Sequence, residues 1–290
     1  MTPWKEKYLP PTLIEEFRNL IYDHFHRNRR EMPWRETDDP YRILVSEIML
    51  QQTQVQRVEA KYKDFIAAFP DFPSLARAPL CEVLRVWQGM GYNRRAISLQ
   101  KIARRVVTEY EGRLPESEEA LRTFSGIGAG TAGALVAFAF NKPSVFLETN
   151  IRRVFLHVFF PDREGVKDSD ILPLVEKTLD RNNPRMWYYA LMDYGATLEK
   201  QSHNPNRRSA HYTRQSPFKG SDRQIRSLIL KALLVSPRLS VAELLDAVGK
   251  PAKRVESIMT RLTDEGFLVR EGDLVWISPG QDDDGHNEEP

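Results

Sequence analysis

The sequence holds a single cysteine, Cys81. A disulfide framework is thereby excluded, as is any metal site built from several thiolates, and a reducing interior compartment is expected. Long apolar runs are also missing. No stretch reaches the roughly eighteen apolar residues of a membrane span, and the opening MTPWKEKYLP lacks the hydrophobic centre of a signal peptide. The expectation is a soluble, cytoplasmic protein. Strand signals are nearly absent before residue 200, and no repeat of 20 to 50 residues is visible, which argues against a β-sandwich and against a solenoid. With 290 residues the chain can form two or three compact units with a sizeable core and no disulfides.

The formal charge of +2 conceals an uneven distribution. The last ten residues carry Asp282, Asp283, Asp284, Glu288 and Glu289 without a lysine or arginine, so the remainder of the chain stands at +7. Between Lys200 and Lys231 eight basic residues face one acid, Asp222. Such a strip suits a polyanion, although charge runs also arise as plain solvated faces.

Helical periodicity dominates from Thr12 to Lys200. LIEEFRNLIYDHFHRN reads as an amphipathic helix, stopped by the prolines of REMPWRETDDP. One helix is expected over residues 41–60, with others over 62–68, 74–76, 80–88, 93–110, 118–124, 130–140, 150–159, 172–179 and 184–197. Residues 198–221 lose the apolar period and have the composition of a linker or surface loop. Beyond it come a helix over 222–235, a second from Ser240 with Glu243 at capping-box spacing, and a third over 252–265. FLVREGDLVWIS then alternates around Glu271-Gly272-Asp273, a hairpin signal. Three helices and a hairpin form the pattern of a winged helix-turn-helix, which reads DNA in many proteins and docks on proteins in others.

Two stretches carry chemistry. In LRTFSGIGAGTAGALVAFAF, two helices meet through Ser125-Gly126-Ile127-Gly128, where glycines permit a very short turn. The amides of Gly128, Ala129 and Gly130, with Thr131 close by, then open a helix whose N-terminus can bind phosphate. Close helix packing is the alternative use of such small residues. In SEIMLQQTQ, a helical reading places Glu47, Gln51 and Gln54 on one side, beside an apolar stripe of Leu44, Val45, Ile48 and Val55. A polar seam along a core suits a helix lining a pocket, where a buried carboxyl keeps its proton and can donate it. A solvated face with a routine ion pair is the plain alternative.

Taken together, MPWR, SEIMLQQTQV, VWQGMGYNRRA, LPESEEAL, GIGAGTAGAL, LETNIRR and MDYGA resemble the helix-hairpin-helix (HhH-GPD) DNA glycosylases, most of all the MutY-type adenine glycosylases. The resemblance runs from about Met32 to Ala196. It implies an all-α fold: a two-domain glycosylase core with an interdomain cleft, followed by the winged helix-turn-helix. Residues 1–38 would pack with a second helical domain at 146–200, and 39–145 would form a six-helix barrel carrying the hairpin. A basic linker at 201–221, the winged helix at 222–279 and an acidic tail at 280–290 complete the expected organisation.

The resemblance also implies a reaction. A base flipped out of double-stranded DNA is protonated by Glu47, and a second anion at Glu148 stabilises the cationic sugar. Relatives usually place Asp at the latter position, so the longer Glu148 changes the geometry. Gln51, Gln52, Tyr92 and Asn93 would meet the bases. Gly126, Gly128, Gly130 and Thr131, together with Arg207, Arg208 and Arg214, would grip phosphates. Gly130 stands where strand-cleaving relatives carry a lysine nucleophile, so a monofunctional enzyme without lyase activity is expected.

The four cysteines with which many relatives hold an iron–sulfur cluster align with Glu199, Asn206, Ser209 and Gln215; no cluster and no other metal is expected, a monovalent cation at the hairpin excepted. His203 and His211 read as loop residues. The Nudix-like domain with which such relatives recognise 8-oxoguanine is replaced here by the winged helix. Adenine leads as the excised base. A mismatch thymine, uracil or other modified-base glycosylase stays open, as does a non-catalytic DNA-binding protein. A monomer without membrane association is expected.

Overall fold

The computed structural model describes residues 9–199, 204–213 and 217–279. The described chain is helical up to the last segment, as its periodicity requires. In order the helices are α1 (Pro11–Asn28), α2 (Pro40–Leu50), α3 (Val55–Ala68), α4 (Phe72–Arg77), α5 (Leu80–Val86), α6 (Arg94–Glu109), α7 (Glu118–Leu121), α8 (Ala129–Phe140), α9 (Thr149–Phe159), α10 (Asp168–Thr178) and α11 (Pro184–Glu199). Then come α12 (Asp222–Val235), β1 (Arg238–Ser240), α13 (Val241–Val248), α14 (Ala252–Asp264), β2 (Leu268–Glu271) and β3 (Leu274–Ile277). Among the described residues no helix is long and apolar enough to cross a membrane.

The chain groups into two compact units, one of residues 1–48 and 114–214, the other of 49–113 and 215–290. The start of α2 and the Gly-rich hairpin group with the N-terminal helix and α9 to α11, whereas the winged helix groups with α3 to α6.

In the first unit, α1, α9, α10 and α11 enclose an aromatic core. The Phe17 ring meets Phe155, Phe159 and Trp187 edge-on at centroid distances of 5.5, 5.1 and 5.8 Å, an arrangement that adds about 0.5–1.5 kcal/mol per pair beyond area burial. Gly195 lets α11 lie directly on the start of α9, because a Cβ at that position overlaps the Asn150 carbonyl. Two residues before Gly195 on the same helix, Asp193 is buried and accepts from Arg35 Nη1 and Nη2 at 2.9 Å each, from Arg30 Nε at 2.6 Å and from the Arg30 amide at 3.0 Å. Burial pushes the Asp193 carboxyl up, but these bonds and charges outweigh it and hold the acid below its ordinary value. MPWR and MDYGA, read separately in the sequence, are thus the two halves of one ion pair.

In the second unit, Phe65 and Trp87 pack edge-on at 5.7 Å, and the buried Gln100 reaches from α6 to the Ala78 carbonyl at 2.6 Å. The winged helix has the expected three helices and hairpin, with the Ser240–Glu243 capping box closed at the start of α13. A third strand, β1, escaped the sequence reading. Its three residues pair antiparallel with β3, giving the order β1-β3-β2.

The single helix expected over residues 41–60 is corrected by the structure. It stops at Leu50, residues 51–54 form a turn with Gln52 at φ 55°, and α3 begins at Val55. The cause lies outside the segment. Arg95, buried at the start of α6, donates to the carbonyls of Met49 and Gln51 and to Thr53 Oγ1, drawing the chain off its helical path. Gln51 and Gln54 therefore do not share a helix face with Glu47.

The close packing at Gly195 is testable by denaturant unfolding. Gly195→Ala is expected to cost about 1–3 kcal/mol, as overpacking does. Gly128→Ala, where a Cβ meets nothing within 4 Å and φ is −88°, is expected to leave stability nearly unchanged.

Candidate active site

Glu148 precedes the first turn of α9, and its carboxylate caps that helix. Oε1 accepts from the amides of Asn150 and Ile151 at 2.7 and 2.8 Å. Acids are favoured at helix N-termini because the free amides point outward there, and bonds to an ionised acceptor are the stronger kind. Glu47 lies on α2 in the same compact unit, and each retains some accessible surface. Both sit deep enough in protein to be poorly hydrated.

Their environments are unequal. Burial raises the Glu47 carboxyl to about 8, with the charge of Glu148 adding to the effect and Arg35 opposing it. Arg35 is already committed to Asp193. Burial also raises Glu148 above its ordinary value, but there the two amides of α9 and the charges of Arg153 and Arg152 work against it. The groups that favour the charged form are therefore concentrated on Glu148, whereas Glu47 is opposed in its rise by Arg35.

A second tier fixes these groups. Arg153 is buried and donates from Nη1 to Asn150 Oδ1 and to the Gly195 carbonyl, both at 2.8 Å, tying the cap of Glu148 to α11. The Arg35 guanidinium carbon lies 4.5 Å from the Tyr189 ring centroid. Burial, then the charge of Glu47, raises the Tyr189 hydroxyl well above its ordinary value, so it stays neutral. Arg35, Asn150, Arg153, Tyr189 and Asp193 were not singled out in the sequence. Four of them lie inside the quoted motifs MPWR, LETNIRR and MDYGA, yet only the fold shows which residue each one meets.

In the hairpin, Ile127 is buried, Gly126 has φ 83°, and Gly128 to Gly130 are exposed at the start of α8. The first intrahelical bond runs from the Ala132 amide to the Gly128 carbonyl at 2.9 Å, so the amides ahead of it, with Thr131 just behind, face outward as an anion site requires. A Cβ on Gly130 lies 3.6 Å from the Leu147 carbonyl, an ordinary contact.

Gln51, Gln52, Tyr92 and Asn93 belong to the second unit. They form two neighbouring turns held by the same arginine: Arg95 Nη2 donates to Thr53 Oγ1 at 2.9 Å and to the Gly91 carbonyl at 3.1 Å. Arg207 is exposed on the 3-10 turn Pro205–Arg208, while Arg208 is half-buried and donates to the Pro161 carbonyl. Arg214, Lys200, His203, Gln215 and the acidic tail lie outside the described residues.

The positions aligned with cluster cysteines do not fit an iron–sulfur cluster. Glu199 pairs with Arg153 at 3.4 Å, Asn206 donates to the Thr149 carbonyl at 3.1 Å, and Ser209 accepts from the His211 amide at 3.1 Å. None offers a thiolate, and these contacts bind the loop directly to α9 and to itself.

The chain is similar to known proteins over most of its length. Residues 45–172 match the HhH-GPD superfamily of base excision DNA repair proteins, and residues 222–269 match winged helix-turn-helix DNA-binding domains. An adenine DNA glycosylase of Mycolicibacterium smegmatis is 32% identical over 284 residues, spanning 91% of this chain and 95% of that protein. Another, from Buchnera aphidicola, is 34% identical over 191 residues, which is 64% of this chain and 54% of its own length, so the chain spans about half of that relative. Among solved structures, a thermostable thymine-DNA glycosylase superposes with a TM-score of 0.59 at 26% identity, covering 66% of this chain and 90% of that one.

Glu47 should make the protein less stable as pH rises. Its folded value lies above its unfolded one, so folding takes up a proton between roughly pH 4.5 and 8, and stability falls across that window. Glu47→Gln is therefore expected to raise Tm at pH 8 and to leave it unchanged at pH 4, as followed by circular dichroism.

Proposed function

Because this chain belongs to the HhH-GPD superfamily of base excision DNA repair proteins, we propose that it is a monofunctional DNA glycosylase that flips a mispaired or damaged base from the duplex and hydrolyses its N-glycosidic bond. The observation that carries the reading is the unequal pair: Glu47 is buried with its carboxyl pushed up, and Glu148 is capped by the amides of Asn150 and Ile151 beside Arg152 and Arg153. Departure of a base needs a proton on the leaving group, and it leaves positive charge on the sugar. A retained proton and a fixed anion supply these two requirements. The amides of Gly128 to Gly130 at the exposed start of α8, with Thr131 and the exposed Arg207, serve phosphate contacts.

Gly130 has no amine, so the covalent imine of a lyase has no donor at that position; water completes the reaction. No metal or cluster enters this scheme, and a monovalent cation at the hairpin carbonyls is compatible with it. Adenine is the proposed base, supported by the relative that spans nearly the whole chain. The similarity to a thymine-DNA glycosylase supports thymine as the second reading.

The test is a panel of duplexes, each with one adenine, thymine, uracil or oxidised base, incubated with protein and then alkali. Strand breaks are expected at adenine, with little or no cleavage at the other bases. Glu47→Gln is expected to reduce the rate by at least 100-fold, the usual scale of a lost general acid; breaks that persist in this variant refute the assignment. Borohydride should trap no covalent complex in the wild type.

The same assay predicts a bell-shaped pH profile. Activity falls above pH 8 as Glu47 loses its proton, and falls on the acid side as Glu148 gains one, above the usual carboxyl range.

A further inference from the structure

The last carbonyls of an α-helix have no partner inside the helix, and a cation near them is favoured. At the end of α2, the helix that bears Glu47, that cation is Arg95. Its Nη1 donates to the carbonyls of Met49 at 2.7 Å and Gln51 at 2.5 Å. Its Nη2 donates to the Gly91 carbonyl at 3.1 Å, and its amide to the Tyr92 carbonyl at 2.9 Å. The arginine that closes α2 is thus seated in the turn that opens α6. That seat is costly to hold. Tyr92 has φ 48° between Gly91 at 71° and Asn93, and left-handed backbone at a bulky residue persists only where surrounding structure enforces it.

The outside of this turn is held by the winged helix. Arg223, in the first turn of α12, donates from Nη1 to the Tyr92 hydroxyl at 3.1 Å and sets its guanidinium carbon 5.8 Å from the ring centroid. Glu265, which follows α14, accepts from Arg94 and from both terminal nitrogens of Arg226, the latter at 2.9 and 2.5 Å. Burial pushes Glu265 up, but the two arginines hold it down at about 2, so it stays ionised at neutral pH. Arg94 and Arg95 are neighbours in the chain: one is tied to the winged helix, the other to the end of α2. Two separate contacts from the winged helix therefore converge on residues 92–95.

We propose that Arg223 and Glu265 are positioning residues for the excision reaction: by clamping residues 92–95, the winged helix holds Arg95 on the end of α2 and so fixes where Glu47 stands. The proposal rests on the glycosylase reading above. It gives the winged helix a task that needs no contact with DNA. A general acid must stand within hydrogen-bond reach of the atom it protonates. A misplacement of about 1 Å caused far from the chemistry can cost about 100-fold in rate.

The experiment takes the duplex cleaved fastest and measures the single-turnover rate at saturating protein, together with the salt dependence of affinity. The full chain is compared with Arg223→Ala, Glu265→Gln, Tyr92→Phe and the double variant Arg223→Ala/Tyr92→Phe, each shown to be folded by a thermal melt. The rate should fall by about tenfold in Arg223→Ala and in Glu265→Gln, the scale on which packed networks couple remote residues to a site. Affinity should keep the wild-type slope against salt, because no phosphate contact is removed. The double variant should be no slower than the slower of its parents, since both changes break one contact. A wild-type rate in either winged-helix variant overturns the proposal, as do effects that add in the double variant. An unchanged rate with a salt slope reduced by about one in Arg223→Ala assigns that residue to a phosphate and also overturns it. If the wild type excises nothing, the glycosylase reading fails, and hydrogen exchange decides the clamp alone. The Thr53 amide, bonded to the Leu50 carbonyl, should then exchange about tenfold faster in Glu265→Gln; wild-type protection there overturns the clamp.

Discussion

Two carboxyl groups withdrawn from bulk water cannot both be ionised cheaply, and the protein resolves that conflict by distributing its favourable partners unevenly. Glu148 receives the amides opening α9 and the nearby charges of Arg152 and Arg153, whereas Glu47 has Arg35 alone, which Asp193 already engages. Much of the first unit serves this imbalance. Asp193 keeps Arg35 from neutralising Glu47, Arg153 holds Asn150 and so the cap on Glu148, and Gly195 brings α11 close enough for the Arg153 bond to its carbonyl. The departure from aspartate at position 148 is accommodated locally, since the longer side chain folds back onto its own helix.

The second unit relies on a different device. Its buried arginine, Arg95, directs its N–H groups at backbone carbonyls and a hydroxyl of two turns. A guanidinium used in this way is a template: its fork fixes which oxygens converge, and therefore the shape of the two turns that supply them. The winged helix adds ion pairs on the same side. A loop region that would otherwise be free to adapt is set before any ligand arrives, which lowers the ordering cost of binding.

How much of this was legible beforehand depended on the range of the cause. Signals within one turn of chain came through: the Ser240–Glu243 capping box, the Glu271–Asp273 hairpin and the Gly-rich connection before α8. Causes acting over long separations did not. The helix expected through residues 41–60 is broken by an arginine some forty residues later, and apolar periodicity continues across the break without a sign of it. Arg35 and Asp193 were each quoted in a motif, but their ion pair spans 158 positions. Strand β1 has only three residues and exists because β3 offers it an edge. Glu148 as a helix cap was hidden because Ser, Thr, Asp and Asn are the residues expected there. The catalytic role proposed for it came from resemblance, and the two amides that meet its carboxylate are a feature only the structure reveals.

The central claim is that Glu47 holds the proton and Glu148 the charge in the free protein near neutral pH. Carbon-13 NMR of side-chain carboxyls, assigned through Glu47→Gln and Glu148→Gln, measures this directly. The account predicts a Glu47 carboxyl that titrates near pH 8 and moves to a lower value when Glu148 is made neutral, with Glu148 titrating first. A Glu47 resonance that titrates between pH 4 and 5, or one that does not respond to Glu148→Gln, would contradict it.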